Sequence, residues 1–194
     1  MSSTLIIAEA GVNHNGDLSK ALLLIEKAAE IGADIVKFQT FNSSALATSS
    51  AEKAEYQKKN TKNNENQLKM LKSLELTTKD YKILFNHCRK YNIEFLSTAF
   101  DLDSFYSLAK FKLNRYKVPS GEITNLPYLR EIAKQKTPII LSTGMSTLAE
   151  IEIAINSMEL VGLSRELITV LHCTSEYPAQ VSEVNLKAML TIGQ

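Results

Sequence analysis

The sequence predicts an α/β fold of the (β/α)8 TIM-barrel type, of which about the first six β/α units are present. Short apolar runs alternate six times with stretches of helical periodicity, and parallel strands joined by helices are the usual result of this alternation. Hydroxyl groups or lysines follow most of the predicted strands, as is typical of barrel strands that end at an active site. An open doubly wound sheet is the alternative, but the first strand is not followed by the G-x-G-x-x-G pattern of a dinucleotide-binding sheet.

Length and composition indicate a globular chain. With 194 residues the chain is long enough for one sizeable domain, and we expect a single domain over residues 1–194. The hydrophobic content of 44% and the charged content of 22% are typical of soluble proteins. The formal net charge is +1 and the basic residues are scattered, which argues against a nucleic-acid partner.

The cysteines and the apolar segments indicate a compartment. Cys88 lies in a helical pattern and Cys173 lies at a predicted strand end, and two thiols without a disulfide framework favour a reducing environment. The first residues lack the features of a secretion signal, and no window approaches the ~18 apolar residues of a membrane span. We therefore expect a cytoplasmic protein without a membrane partner.

The first β/α unit sets the pattern. Leu5–Ala8 is a short apolar run, typical of a strand that is buried on both faces. A polar loop over Glu9–Asp17 follows, and a helix is predicted from Leu18 to Ile31, ended by Gly32. The next strand covers Ala33–Thr40.

Residues 41–76 interrupt the alternation. This segment is polar, and an excursion of this length between a strand and a helix is usually a functional loop. Helical pieces are predicted near Ala51–Lys58 and Glu65–Leu74, and the charges of residues 52–66 are interpreted as a solvated face.

The alternation then continues regularly. The helix predicted over Leu148–Leu160 is expected to begin with a capping box, since Glu150 lies three residues after Thr147. The remaining predicted elements are a helix from Thr77 or Thr78 to Lys90, a strand over Ile93–Thr98, a helix over Leu102–Lys110, a strand over Arg115–Val118, a helix over Leu126–Gln135, a strand with its loop over Thr137–Met145, a helix over Leu148–Leu160, a strand over Leu167–His172 and a helix over Glu183–Leu190.

The stretch Lys117–Glu122 contains several groups that can bind a substrate. A lysine, a hydroxyl, a glycine amide and a carboxylate occur within six residues, directly after an apolar strand. Such a strand end offers donors to an anionic group and a carboxylate beside it, as a phosphate-bearing substrate requires. A plain strand-to-helix turn with solvated Lys117 and Glu122 is the alternative reading.

Other predicted strand ends are similar. They carry Glu9 with Asn13 and His14, Lys37 with Gln39, Ser97 with Thr98, Ser142 with Thr143, and His172 with Ser175 and Tyr177. Two lysines and several hydroxyls are a suitable cage for a phosphate and a carboxylate together, and two carboxylates remain for hydrogen-bonding a polyol or moving protons. For His14 and His172 a structural role is favoured over a metal-ligand role, because imidazole serves both and no partner ligand lies nearby in sequence.

Six motifs in this order resemble the sialic acid synthase family. They are Ile7–Gly16, Val36–Thr40, Leu96–Phe100, Lys117–Asn125, Leu141–Met145 and His172–Pro178, and the resemblance covers essentially the whole chain. The Glu55-Tyr56-Gln57 element of the long loop is more similar to the bacterial legionaminic acid synthase branch than to the animal enzymes.

The resemblance implies an aldol-type condensation. Phosphoenolpyruvate adds to the aldehyde of an N-acylated mannosamine-type sugar, water attacks C2, and phosphate leaves to give a nine-carbon 2-keto sugar acid. By position the resemblance assigns Lys37, Thr98, Lys117, Ser120 and Ser142 to the phosphoenolpyruvate cage. It assigns Glu9 and Glu122 to the reacting carbons as catalytic carboxylates, and Gln39, Asn125, Ser175 and Tyr177 to further substrate contacts. Ser175 stands where some members carry an amide.

The resemblance also implies parts that this chain does not contain. In the family a divalent metal, Mn²⁺ or Mg²⁺, polarises the aldehyde. Its two histidine ligands, the last β/α units and an antifreeze-like C-terminal domain that covers a partner's site in a homodimer are expected beyond Gln194. The histidines present, His14, His87 and His172, do not supply the pair, so we expect residues 1–194 alone to have little or no synthase activity.

Two other functions remain open from the residues. One is a non-catalytic module that binds a phosphosugar or a carboxylate with the same cage. The other is an aldolase that uses Lys117 as a Schiff-base amine, for which borohydride trapping of an adduct would be the signature.

Overall fold

The computed structural model describes residues 4–53 and 66–194. The chain divides into two compact units, Met1–Leu113 and Asn114–Gln194. The prediction that residues 1–194 form a single domain stays a prediction.

The first unit contains three parallel strands. β2 pairs with β1 on one side and with β3 on the other. The elements are β1 (Ile7–Gly11), α1 (Leu18–Glu30), β2 (Ile35–Thr40), α2 (Ser43–Leu46), α3 (Gln67–Leu74), α4 (Thr78–Lys90), β3 (Glu94–Ala99) and α5 (Leu102–Ala109).

The second unit repeats this arrangement. β5 pairs in parallel with β4 and with β6. The elements are β4 (Tyr116–Val118), a 3₁₀ turn (Ser120–Glu122), α6 (Leu126–Ala133), β5 (Ile139–Ser142), α7 (Leu148–Glu159), β6 (Ile168–Leu171) and α8 (Ala188–Ile192), with further 3₁₀ turns at Arg165–Leu167 and Val181–Glu183. The β/α alternation predicted from the sequence is confirmed in both units.

Helix α4 shows why the spacing of its apolar residues predicts a helix. Tyr81, Leu84 and Cys88 recur at spacings of three and four residues and are buried, so they form one stripe that packs onto the unit. The Thr77 hydroxyl accepts from the Asp80 backbone N–H, and the Asp80 carboxylate accepts from Thr77 in return. The predicted capping box of Thr147 and Glu150 at α7 is confirmed in the same geometry.

The first strand lies later than predicted. Leu5 is 42% exposed and Ile6 is 53% exposed, so the expectation of a run buried on both faces is wrong for them. The backbone N–H of Ile6 donates to the Asp34 carboxylate at 2.7 Å, and the paired strand begins only at Ile7. Glu9, which the sequence places in a loop, is therefore a strand residue opposite Lys37.

The predicted last helix over Glu183–Leu190 is also wrong. The structure has a 3₁₀ turn at Val181–Glu183 and the short α8 in its place. Leu186 and Leu190 are 63% and 72% exposed, so this stretch has no buried apolar face that would support a longer helix.

The excursion after β2 differs from its prediction in part. Helix α3 begins at Gln67 because the Asn66 side chain caps it, accepting from the Lys69 backbone N–H at 2.9 Å. Lys53 is buried, which corrects its assignment to a solvated face. Residues 54–65, with the Glu55-Tyr56-Gln57 element and most of the helical piece near Ala51–Lys58, lie outside the described residues.

Among the described residues, none of the helices combines the length and the apolar character that a membrane span requires.

The buried stripe of α4 gives a stability prediction. Replacing Leu84, which is fully buried, with Ala leaves a cavity and should lower the free energy of unfolding by about 2–5 kcal/mol. Ile83→Ala is the matched control, because Ile83 is the preceding residue of the same helix and is 44% exposed. Urea denaturation of both variants is the measurement, and an equal loss of stability in the two would contradict the packing described here.

Candidate active site

Polar side chains share one face of the sheet in the first unit. Glu9 is paired in register with Lys37, and Gln39 with Thr98. Since Lys37 and Gln39 are two residues apart on β2, all four side chains lie on the same face. We call this group the Glu9 cluster.

An ion pair organises the Glu9 cluster. The Lys37 ammonium contacts the Glu9 carboxylate. The Lys37 side chain is only 13% exposed, whereas that of Glu9 is 51% exposed, so the lysine is held in place and the carboxylate faces outward. Gly11, with a φ of +52°, leaves room beside the pair, because a Cβ there would lie 3.2 Å from Glu9 Oε1 and 3.6 Å from Gln39 Nε2.

His14 lies on the opposite face of this sheet. Its ring is 6.2 Å from the ring of Phe38, which alternates with Lys37 and Gln39 along β2. The His14 side chain is fully buried, its Nδ1 accepts from the Gly16 backbone N–H at 3.0 Å, and burial lowers its pKa. This placement supports the structural role favoured from the sequence.

Ser97 is likewise a structural residue. Its hydroxyl is hydrogen-bonded to the Thr40 hydroxyl at 2.7 Å, and both side chains are buried. The neighbouring Thr98 is the residue of this pair that belongs to the Glu9 cluster.

A second polar group lies at the strand ends of the second unit. Lys117 comes from β4 and Ser142 from β5, and the loops that follow β4, β5 and β6 supply the other members. We call this group the Lys117 cluster: Lys117, Ser120, Ser142, Gly144, Cys173 and Ser175.

The Lys117 ammonium is the charged centre of this cluster. It donates to the Ser142 hydroxyl and to the Val118 carbonyl, both at 2.6 Å. Lys117 is buried, and a buried charge is stable only where hydrogen bonds and neighbouring groups replace its hydration. The cluster therefore fixes a positive charge at a defined point.

Cys173 belongs to the same cluster. Burial opposes ionisation of its thiol, but the Gly144 N–H, the Ser142 hydroxyl and the Thr143 N–H donate to the sulfur, and the charge of Lys117 adds to their effect. The net result is a pKa of the Cys173 thiol below its ordinary value. A group of donors that stabilises a thiolate is also suited to other anions.

Glu122 and Asn125 form a separate local pair. The Asn125 side-chain amide donates to the Glu122 carboxylate at 2.7 Å, while its oxygen accepts from the Tyr128 N–H at 3.3 Å and caps α6. Asn125 thus orients a candidate catalytic carboxylate. Tyr177 is 69% exposed.

Sequence reasoning missed two members of the Lys117 cluster. Cys173 was used only as an indicator of the compartment, although its position directly after an apolar strand was a signal. Gly144 was quoted within a motif but not as a site residue, and only the contacts around it show its role.

A resident metal site is not formed by this part of the chain. Among residues 4–53 and 66–194, no three His, Cys, Asp or Glu side chains are grouped closely enough to hold a metal ion. His14 is buried behind its sheet. The divalent metal implied by the resemblance therefore stays a prediction.

Polar residues at the carboxyl ends of parallel strands are typical of α/β proteins of the (β/α)8-barrel type, whose active sites lie there. A family model described as the NeuB family matches residues 24–194. The chain belongs to the NeuB family.

Named relatives agree with this assignment. The chain is 57% identical to the N,N'-diacetyllegionaminic acid synthase of Campylobacter jejuni over 192 residues, and 50% identical to that of Legionella pneumophila over 190 residues. These matches cover 99% and 97% of this chain but 58% and 53% of the relatives, so the chain spans a little over half of their length.

A solved structure confirms the fold class. The N-acetylneuraminic acid synthetase of Leptospira borgpetersenii, crystallised in complex with citrate, superimposes with a TM-score of 0.83 at 31% identity. The match covers 98% of this chain and 61% of that one. The predicted membership of the sialic acid synthase family and the predicted barrel type are confirmed.

The two cysteines give a prediction of contrasting reactivity. Because the thiolate is the nucleophile, Cys173 should be alkylated by iodoacetamide at a lower pH than an ordinary cysteine. Burial raises the pKa of Cys88 to about 12, so Cys88 should remain unlabelled in the folded chain. Peptide mass spectrometry over a pH series measures both, with Cys173→Ser as the control, and labelling of the two thiols with the same pH profile would contradict the assignment.

Proposed function

We propose that this chain carries part of the active site of a synthase that condenses phosphoenolpyruvate with an N-acylated mannosamine-type sugar. The products are a nine-carbon 2-keto sugar acid of the sialic or legionaminic type and phosphate. Two of the relatives are N,N'-diacetyllegionaminic acid synthases, which supports this substrate class.

The observation that carries the proposal is the buried ammonium of Lys117 beside Ser142. Phosphoenolpyruvate bears a phosphate and a carboxylate, and a fixed cation with hydroxyl donors is the chemistry that binds such anions. Lys117, Ser120 and Ser142 are proposed as ligands of the substrate anion, and Lys37 and Thr98 are proposed as further members of the cage. In the condensation these donors also stabilise the phosphate as it leaves.

The carboxylates are proposed to act at the reacting carbons. Glu9 is held by Lys37 with its carboxylate half exposed, and Glu122 is oriented by Asn125. Either can hydrogen-bond a sugar hydroxyl or move a proton as water attacks C2. Gln39, Ser175 and Tyr177 are proposed as additional substrate contacts. A divalent metal, Mn²⁺ or Mg²⁺, is proposed for the complete protein, where it would polarise the sugar aldehyde.

The whole reaction is proposed for the full-length form of the protein. The relatives are nearly twice as long as the matched chain, so the activity is proposed for the complete polypeptide and not for residues 1–194. We further propose that the complete protein is a homodimer in the cytoplasm. Borohydride trapping of a substrate adduct on Lys117 tests the aldolase alternative, and failure to trap an adduct would count against it.

Binding of the substrate anion tests the proposal directly. Lys117→Met should weaken binding of phosphoenolpyruvate at least about tenfold, because a hydrogen bond to a charged group contributes roughly 1.5–3 kcal/mol. Lys134→Met is the matched control, since the Lys134 side chain is 56% exposed and Lys134 caps the carboxyl end of α6. Isothermal titration measures both, and equal affinities for the two variants would contradict the assignment.

Turnover separates an enzyme from a binding module. Residues 1–194 alone should bind phosphoenolpyruvate but release phosphate at or near the background rate when N-acetylmannosamine is added. The full-length polypeptide that contains this chain should release phosphate only when both substrates are present. Binding by the full-length protein without any such release would favour the non-catalytic module.

A further inference from the structure

We propose that Gly144 is a positioning residue of the anion site, and that its bare α-carbon sets the places of the Ser120 and Ser175 hydroxyls. The inference rests on the proposed function, because it assigns these hydroxyls to the phosphate or carboxylate of phosphoenolpyruvate. Gly144 follows β5 in the second unit and is not itself one of the proposed substrate ligands.

The contacts of Gly144 are unusually close. A Cβ built on Gly144 would lie 2.7 Å from both Cβ and Oγ of Ser120, and closer still to Oγ of Ser175. Side-chain carbons essentially never approach other atoms this closely. The two serine side chains therefore occupy the space that any L residue at position 144 would need.

Ser120 cannot yield by turning its side chain alone. Its Cβ is fixed to the backbone, and that backbone is the 3₁₀ turn between Lys117 and Glu122. The turn is held by the hydrogen bond from the Glu122 N–H to the Pro119 carbonyl at 3.1 Å, and by the buried Ile123 that follows it. A side chain at position 144 would have to displace this turn.

Gly144 also reaches a third member of the Lys117 cluster. Its backbone N–H donates to the Cys173 sulfur, which in turn contacts the Ser142 hydroxyl that Lys117 holds. Gly144, which lies in the loop after β5, is thus in contact with the loops that follow β4 and β6. Any shift there alters several anion donors together.

The chain offers a control for backbone strain. Gly144 has a φ of +51°, where an L residue is strained whatever the space around it. Gly32 has a φ of +78° and nothing within 4 Å of a built Cβ. Gly32→Ala therefore introduces comparable strain without a steric contact, while Gly144→Ala introduces both.

The test compares thermal stability and affinity in the same variants. Both Gly32→Ala and Gly144→Ala should lower the melting temperature of the chain. Only Gly144→Ala should weaken binding of phosphoenolpyruvate in isothermal titration, by at least about tenfold, and Gly32→Ala should bind as the unaltered chain does. Equal affinity in both variants would overturn the inference and leave the proposed function standing, whereas no binding by the unaltered chain would overturn both.

A rescue variant keeps the test decisive if Gly144→Ala does not fold. Ser120→Gly in the Gly144→Ala background removes the blocked Cβ, and this double variant should regain much of the lost stability. It should still bind phosphoenolpyruvate more weakly than Ser120→Gly alone, because Ser175 remains displaced by the methyl group. Equal affinity of the double variant and Ser120→Gly, or no recovery of stability, would overturn the inference.

Discussion

The second unit depends on the contact between the Lys117 ammonium and the Ser142 hydroxyl. Lys117 is buried at the end of β4, and its charge is stabilised there by hydrogen bonds to Ser142 and to the Val118 carbonyl. Since Ser142 ends the neighbouring strand β5, the same contact joins two strand ends and directs a positive charge to the loops that follow them. The pKa of the Cys173 thiol is lowered chiefly by the hydrogen bond from the Gly144 N–H, and the Ser142 hydroxyl and the Lys117 charge add to this effect.

The first unit also contains a largely buried lysine, but the group that balances its charge is different. Lys37 is also largely buried, but its ammonium is balanced by the Glu9 carboxylate of the adjacent strand. The apolar residues that alternate with them, such as Phe38, face the opposite side and pack on Phe95. Period-2 alternation therefore separates a polar face that carries chemistry from an apolar face that supplies stability.

The sequence was sufficient for the order and type of most elements because the signals are local. Apolar runs, the capping boxes at Thr77 and Thr147, and Gly32 after α1 act within a few residues of chain. The end of β1 was predicted too early because its pairing with β2 extends into polar residues such as Glu9, and the local sequence does not show this long-range contact. The helix over Glu183–Leu190 failed for the opposite reason, since a helical pattern without a buried face does not make a helix.

The candidate residues at the strand ends could be selected by residue type and position, but their roles could not. Asn125 caps a helix while it orients Glu122, and this double role follows from two hydrogen bonds of one amide. The residue types of Cys173 and Gly144 do not by themselves predict a role in the site. Their roles follow from the groups packed around them in the structure.

We propose that the Lys117 cluster binds the anionic groups of phosphoenolpyruvate, and a crystal structure of the chain soaked with phosphoenolpyruvate is the decisive measurement. A phosphate or carboxylate oxygen of the ligand should lie within hydrogen-bonding distance of Lys117 Nζ and of the Ser142 or Ser120 hydroxyl. Ligand density elsewhere, with the Lys117 cluster still bonded only to its own neighbours, would contradict it.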